Sequence, residues 1–282
     1  MKPLEVGVFL SSLGISDAIE GLKKVKEIGF NVVQMGPEVY YSYKEPSRRK
    51  SLKRALRSAG IEVTTVFAGF EGEDYSDIPA VIRTVGFLNR ERVRERIEVS
   101  KNIADFTAWL GVKIMAAHVG FIPSDERSGE FRQIYDAVCE VADYCAERGL
   151  FFSFETGQEK PEELLRFIKL MDRRNTRVNF DTANLLLYGK SQALPGIEVL
   201  KDYIINVHVK DGYWPKEKDK IGDQAPIGQG EADIKGCVKK LVEVGYRGPL
   251  IIEREAGEDR IGDILRAKEF LEDAKREAGF KN

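Results

Sequence analysis

Five times along the chain, a charged amphipathic segment ends in glycine and runs straight into an apolar stretch: at Gly29-Phe30, Gly60-Ile61, Gly111-Val112, Gly149-Leu150 and Gly245-Tyr246. A glycine just past a helix end can take the left-handed conformation that closes the last turn. The run after it, rich in Val, Ile and Phe, reads as a buried strand. Helix, glycine and strand repeated at this rhythm mean parallel strands joined by helical crossovers. Eight strand-like runs are expected, at residues 5–10, 31–35, 62–67, 113–118, 151–155, 177–181, 204–209 and 250–253.

Helical patterns lie between these runs. In the first, Ser16 is expected to cap a helix whose apolar face is Ile19, Leu22, Val25 and Ile28. The rest are expected at roughly 47–59, 90–110, 130–148, 161–171, 192–201, 234–244 and 259–278. Eight βα units in 282 residues predict one α/β domain over 1–282, a (β/α)₈ TIM barrel. The competing open, doubly wound sheet usually carries a glycine-rich phosphate turn after its first strand, and Phe9–Gly14 (FLSSLG) is not one. Two long connections, 69–89 after the third strand and 210–233 after the seventh, leave the strand ends where barrel enzymes build their sites. Both are expected to act as lids or pocket walls.

The charges are mixed. Lys, Arg, Asp and Glu make up 32% of the chain, the net charge is -2, and no basic stripe is visible. That composition argues against a nucleic-acid partner. No apolar stretch is long enough to span a membrane, and none has the form of a cleavable leader. Cys139, Cys145 and Cys237 form an odd set without CxxC spacing, which suits reduced cysteines in a cytoplasmic protein.

The last four strands share one property. The fifth ends FFSFET at Glu155, the sixth VNFDTAN at Asp181, the seventh INVHVKDG at His208 and the eighth LIIERE at Glu253. Consecutive barrel strands form one arc, so three carboxylates and an imidazole should converge at the mouth. Without a cation such a convergence is unfavourable, because buried like charges repel. An oxygen-rich set with one nitrogen and no thiolate suits one divalent ion, Mn²⁺ first, with Co²⁺, Mg²⁺ or Zn²⁺ as alternatives.

These segments resemble the xylose isomerase-like TIM barrels of the sugar phosphate isomerase/epimerase superfamily. The resemblance runs nearly the full length. It is carried by HVGF at His118, FETGQE at Glu155, NFDTANLLLYG at Asp181, NVHVKDG at His208, PIGQGEADI at 226–234 and GYRGPLIIERE ending at Glu255. It implies that Glu155, Asp181, His208 and Glu253 hold the metal. By analogy with the ketose 3-epimerase branch, it also implies that Glu155 and Glu253 move the proton. The implied activity is a metal-dependent isomerase or epimerase of a ketose or keto-sugar, working through an enediolate. The alternative on the same site is a keto-sugar or inosose lyase or dehydratase. A small-molecule sugar is the expected partner, with no nucleic acid or membrane and with a homo-oligomer left open.

The candidate substrate-binding residues are His118, Glu159, Asn184, Lys210 and Trp214. Three of them depart from the ketose 3-epimerase pattern. Asn184 stands where that branch has His, Trp214 where it has Arg, and Glu159 is only four residues beyond the first metal Glu. Asn184 can hydrogen-bond a substrate hydroxyl, and Trp214 can stack on a sugar face or simply pack in its loop. Lys210 is placed on the His208 side, either to neutralise an oxyanion or to pair with an acid. Gly228 and Gly230 make a turn that is a weak phosphate signal. A DNA-repair endonuclease on a related barrel needs several histidines for its zinc ions, and this chain has two. A catalytically silent scaffold would have no use for an intact ligand set.

Overall fold

Eight parallel strands close into a barrel in the computed structural model, which describes residues 2–280; Met1, Lys281 and Asn282 of the expected 1–282 domain lie outside the described residues. The strands are β1 (Val6–Phe9), β2 (Val32–Met35), β3 (Glu62–Ala68), β4 (Ile114–Ala117), β5 (Phe151–Glu155), β6 (Thr176–Asp181), β7 (Ile204–Val209) and β8 (Leu250–Ile252). Each pairs with its neighbours in sequence, and β1 closes the circle by pairing Val6 with Leu250 and Val8 with Val33. All eight predicted runs are strands, with ends that differ by no more than a residue or so. The glycine signal was a sound one. Gly29, Gly60, Gly111, Gly149 and Gly245 all have φ between 63° and 89°, the left-handed region that ends a helix at low cost.

Packing inside the barrel is tight. A β-carbon at Gly7 would come within 2.7 Å of both Ile251 Cδ1 and the Val32 carbonyl, so this position on β1 admits only hydrogen. Phe9, Val32, Phe67, Ala116 and Ile251 form their own apolar cluster. Two register shifts matter for the site. One falls between Val33 and Gln34 where β2 meets β3, the other between Val178 and Asn179 where β6 meets β7. Such irregularities re-aim the side chains that follow.

Several local expectations need correction. Asp17, not Ser16, caps the first helix (Ala18–Glu27). Its carboxylate accepts the Ile19 and Glu20 amides at 3.0 Å each, and a charged acceptor also complements the helix dipole. The helix expected from residue 90 starts at Val93, because the Asn89 carboxamide accepts the amides of Glu91 and Arg92 and holds that stretch as a turn. Elements of four to seven residues were missed: Leu10–Leu13, Pro37–Tyr43, Ile78–Thr84 and Asn184–Leu187. Helices this short span too few turns to show a period. A two-stranded antiparallel ribbon, Asp211–Gly212 with Gln224–Ala225, was missed for the same reason.

The two long connections meet. The Ile78 amide donates to the Asp219 carbonyl at 3.0 Å. Around that bond Val81, Val85 and Tyr188 cluster, with Ile78, Phe121 and Ile221 packed against them. Loops from four strand ends are thereby joined at the mouth. Among the described residues, no helix is long and apolar enough to cross a membrane.

Candidate metal centre

Glu155 ends β5, Asp181 ends β6, His208 lies near the end of β7, and Glu253 directly follows β8. Barrel closure brings one ligand atom from each within 4.8 Å of all the others. All four residues are buried; Glu253, the most accessible, is 7% exposed. His208 Nδ1 lies 3.1 Å from Glu155 Oε1, 3.2 Å from Glu253 Oε2 and 3.9 Å from Asp181 Oδ2. The three acids therefore surround a single ring nitrogen.

The other ring nitrogen is held from behind. His208 Nε2 sits 2.6 Å from Gln34 Oε1, so Nε2 carries a proton and donates it to the amide. Gln34 Nε2 in turn donates to Asn179 Oδ1 at 3.3 Å, and Asn179 Nδ2 donates to Glu155 Oε2 at 2.5 Å. The chain of bonds closes into a ring: His208, Gln34, Asn179, Glu155. Phe67 stacks on the imidazole at 5.1 Å and Phe9 meets it edge-on at 5.3 Å, which fixes the plane of the ring. Sequence reasoning missed Gln34 and Asn179. The one signal for Gln34 is an amide inside an otherwise apolar strand, and that for Asn179 is its place two residues before Asp181, on the same face of β6.

Charge in the cluster is unbalanced without cations. Burial pushes Glu155 up to about 7, with the His208 charge pulling the other way. Asp181 is raised by burial as well, against the pull of Lys210. Burial also opposes the charge on Glu253, but Lys210 and His208 together outweigh it and hold that carboxyl well below the usual range. Lys210 Nζ is 2.6 Å from Glu253 Oε2, 3.1 Å from Glu255 Oε2 and 3.4 Å from Asp181 Oδ2. Of the two readings available for Lys210, the structure shows the ion pair.

One atom tests whether the set fits a metal. Asp181 Oδ1 accepts the Ala183 and Asn184 amides at 2.7 Å each, whereas Oδ2 is buried and accepts no hydrogen bond. A buried carboxylate oxygen that accepts no hydrogen bond, with the Lys210 ammonium at 3.4 Å and two further carboxylates and an imidazole nitrogen around it, fits a divalent cation. Glu155, Asp181, Glu253 and His208 Nδ1 would hold it. Three oxygens and one nitrogen suit Mn²⁺, Mg²⁺ or Co²⁺ chemically, and the donor set does not choose among them.

The candidate substrate residues divide. Asn184 and Lys210 join the cluster: Asn184 Nδ2 donates to Glu155 Oε1 at 3.4 Å, and Asn184 Oδ1 accepts from Lys210 Nζ at 3.3 Å. His118 is half-buried, and its Nδ1 has no partner. Its ring lies 5.8 Å from that of Tyr75, and burial followed by the Lys210 charge pushes its pKa down to about 3, which makes it a neutral imidazole. Glu159 accepts the Ile122 amide at 3.1 Å and is pushed up to about 8 by burial; no bond ties it to the four ligands. Trp214 is also apart from them. Its amide donates to Glu231 Oε2, and its partly buried side chain packs on the main core.

The glycine turn has an occupant of its own. The Asp211 carboxylate accepts the amides of Gly228 and Gly230 at 2.9 Å each, of Ala232 at 3.2 Å and of Gly212 at 2.8 Å. A cavity of about 530 Å³ opens at the opposite end of the barrel, around Thr64, Ile114, Asn206 and Gly248. That end of a barrel serves stability rather than chemistry, and the four ligands are not part of its lining.

The fold is a closed (β/α)₈ barrel with an acid, acid, imidazole, acid set on consecutive strand ends that could hold one metal ion. Residues 22–274 match the model of the xylose isomerase-like TIM barrels, and the chain belongs to that family. The L-ribulose-5-phosphate 3-epimerase UlaE of Shigella boydii is 32% identical over 294 residues, covering 99% of this chain and 98% of that protein. An inosose dehydratase of Geobacillus kaustophilus is 24% identical, covering 90% and 88%. Among solved structures, a xylose isomerase domain protein from Planctomyces limnophilus superposes with a TM-score of 0.87 at 29% identity, covering 99% and 98% of the two chains.

Proposed function

We propose that this chain is a divalent-metal-dependent isomerase or epimerase of a ketose or keto-sugar, acting by proton transfer at the carbon next to the carbonyl. The observation that carries the reading is the placement of two buried carboxylates, Glu155 and Glu253, 3.1 and 3.2 Å from the same His208 nitrogen. A bound divalent cation would supply stabilisation of the negative charge that develops on the substrate oxygens. One glutamate removes the proton and the other returns it from the far side, which inverts that carbon. If the proton is returned to the adjacent carbon instead, the outcome is an aldose–ketose isomerisation. Asn184 is placed to hydrogen-bond a substrate hydroxyl. Phe9 and Phe67 help to exclude water beneath the site. The UlaE relative supports epimerisation.

A second reading is favoured by a separate observation, the inosose dehydratase relative. The same carbanion can expel a substituent from the neighbouring carbon, giving a lyase. Incubation of the manganese-loaded protein with ketoses and inososes in D₂O separates the two. Deuterium at the carbon next to the carbonyl with no loss of water supports the isomerase; an enone absorbance supports the lyase. Glu155→Gln and Glu253→Gln are each expected to abolish the exchange, and wild-type rates in both variants would end the two-base proposal.

A further inference from the structure

The glycine turn at this mouth and the lysine beside the cluster, the two groups best placed to bind an anion, are already occupied by carboxylates of the chain itself. We infer that the substrate is an uncharged keto-sugar rather than a sugar phosphate. The inference rests on the proposed sugar chemistry and narrows it to one substrate class.

Two devices recognise phosphate at the mouth of a barrel: backbone amides of a glycine-rich turn, and Lys or Arg side chains. The glycine turn after β7 has the right composition, but its amides converge on Asp211. That carboxylate accepts Gly228, Gly230, Ala232 and Gly212, and it is itself buried. The space is filled as well as the bonds. A β-carbon at Gly230 would sit 2.2 Å from Asp211 Oδ1, so no room remains for a ligand oxygen between turn and carboxylate. A phosphate there would have to expel Asp211 and would meet its charge.

The cations give the same answer. Lys210 is buried and held by Glu253, Glu255 and Asp181. Arg254, next to Glu253 in sequence, donates from Nε to Asp263 at 2.9 Å, although its buried Nη1 has no partner. Arg96 donates to the Gly86 carbonyl and lies over the Phe70 ring, 5.1 Å from its centroid. Lys220, on the long loop after β7, is near Asp77, and Lys216 pairs with Asp223. Against these stand Glu155, Asp181, Glu253 and Glu255 in and around the cluster. A dianionic phosphate brought here would add charge to a site already rich in carboxylates. A polyhydroxylated ketone would not, and Asn184 together with the amide of Gln224, which bonds Glu255 at 2.8 Å, provides neutral polar groups for hydroxyls. Two half-buried cations on the mouth side, Arg260 and Lys190, the latter lying 4.9 Å over the Phe121 ring, form no ion pair with a carboxylate among the described residues, and so offer the routes by which the inference can fail.

The test uses the full-length, manganese-loaded protein in D₂O with matched pairs: L-ribulose and L-ribulose 5-phosphate, D-xylulose and D-xylulose 5-phosphate, D-fructose and D-fructose 6-phosphate. Deuterium incorporation is followed by NMR, with inorganic phosphate as a competitor. The expected result is a kcat/KM for at least one free ketose that exceeds that of its phosphate by about tenfold or more, with no competition from millimolar phosphate. Equal or greater efficiency on a phosphorylated partner overturns the inference and leaves the sugar chemistry standing. Loss of that efficiency in Arg260→Ala or Lys190→Ala would then identify the anion site. No exchange with any sugar, despite bound manganese, overturns the proposed function and this inference with it.

Discussion

His208 Nε2 and Gln34 Oε1 lie 2.6 Å apart, although 174 positions separate the two residues. The bond fixes the imidazole tautomer. With Nε2 committed to Gln34, Nδ1 is the nitrogen left to face the three carboxylates, and loss of its proton would supply the lone pair that a metal ligand requires. Gln34→Leu removes the acceptor while keeping the volume close. Its Mn²⁺ affinity, measured by calorimetry, is expected to fall about 10- to 100-fold with the far-UV circular dichroism unchanged. Gln34→Glu, which keeps an acceptor oxygen at the same reach, is expected to restore most of it. An unaltered affinity in Gln34→Leu would falsify the positioning role.

Metal removal offers a second check. Lys210 and His208 offset part of the carboxylate charge, but Asp181 Oδ2 has no hydrogen-bond donor. A cation that binds the folded site and not the unfolded chain adds about 2.7 kcal/mol at a hundredfold excess over its Kd. Chelation is therefore expected to lower Tm by several degrees and silence turnover, and Mn²⁺ or Co²⁺ is expected to restore both. Full turnover in a sample shown by elemental analysis to be metal-free would rule out the metal centre.

Glu159 predicts a pH dependence of stability. Burial raises its folded pKa from 4.5 to about 8, so the folded chain holds a proton there that the unfolded chain has lost. The neutral carboxyl's stability is fully present below about pH 4.5 and is lost as pH rises through about 8. Glu159→Gln keeps the acceptor for the Ile122 amide and cannot ionise. In urea titrations the variant is expected to match wild type at low pH and to exceed it by about 2 to 4 kcal/mol above pH 9. Parallel curves over the whole range would show that the carboxyl is not buried as placed.

Asp211 concerns the glycine turn. Four backbone amides converge on this one carboxylate. Asp211→Ala leaves several of them without acceptors in a partly closed site, and is expected to cost about 3 kcal/mol in urea denaturation and to open residues 226–233 to proteolysis. Asp211→Asn, which retains one acceptor oxygen, is expected to lose less. Equal stability of the alanine variant would mean that the turn is held by something else.

How much of this was legible beforehand varies with range. The barrel could be read from local patterns because a helix period, a terminal glycine and an apolar run are each encoded within about twenty residues. The four-residue cluster was legible for a related reason. Glu155, Asp181, His208 and Glu253 each follow an apolar run, and consecutive parallel strands in a barrel must be neighbours, so their ends must converge. Short elements such as Ile78–Thr84 escaped because a helix of seven residues is specified more by its Asp77 cap and its packing than by periodicity.

The sequence by itself determined the elements, their order and the residue types that stand at the mouth. The tertiary structure decided which of those residues touch. It gave Lys210, which the sequence left as either an oxyanion partner or one half of an ion pair, Glu253 as its partner, and closed the glycine turn on Asp211. It also brought Gln34 of β2 and Asn179 of β6 to the two sides of His208 and Glu155. The reason is physical. Which face a side chain takes follows from a period of two along its own strand, but which distant side chain it meets depends on barrel closure and on the register shifts at Gln34 and Asn179.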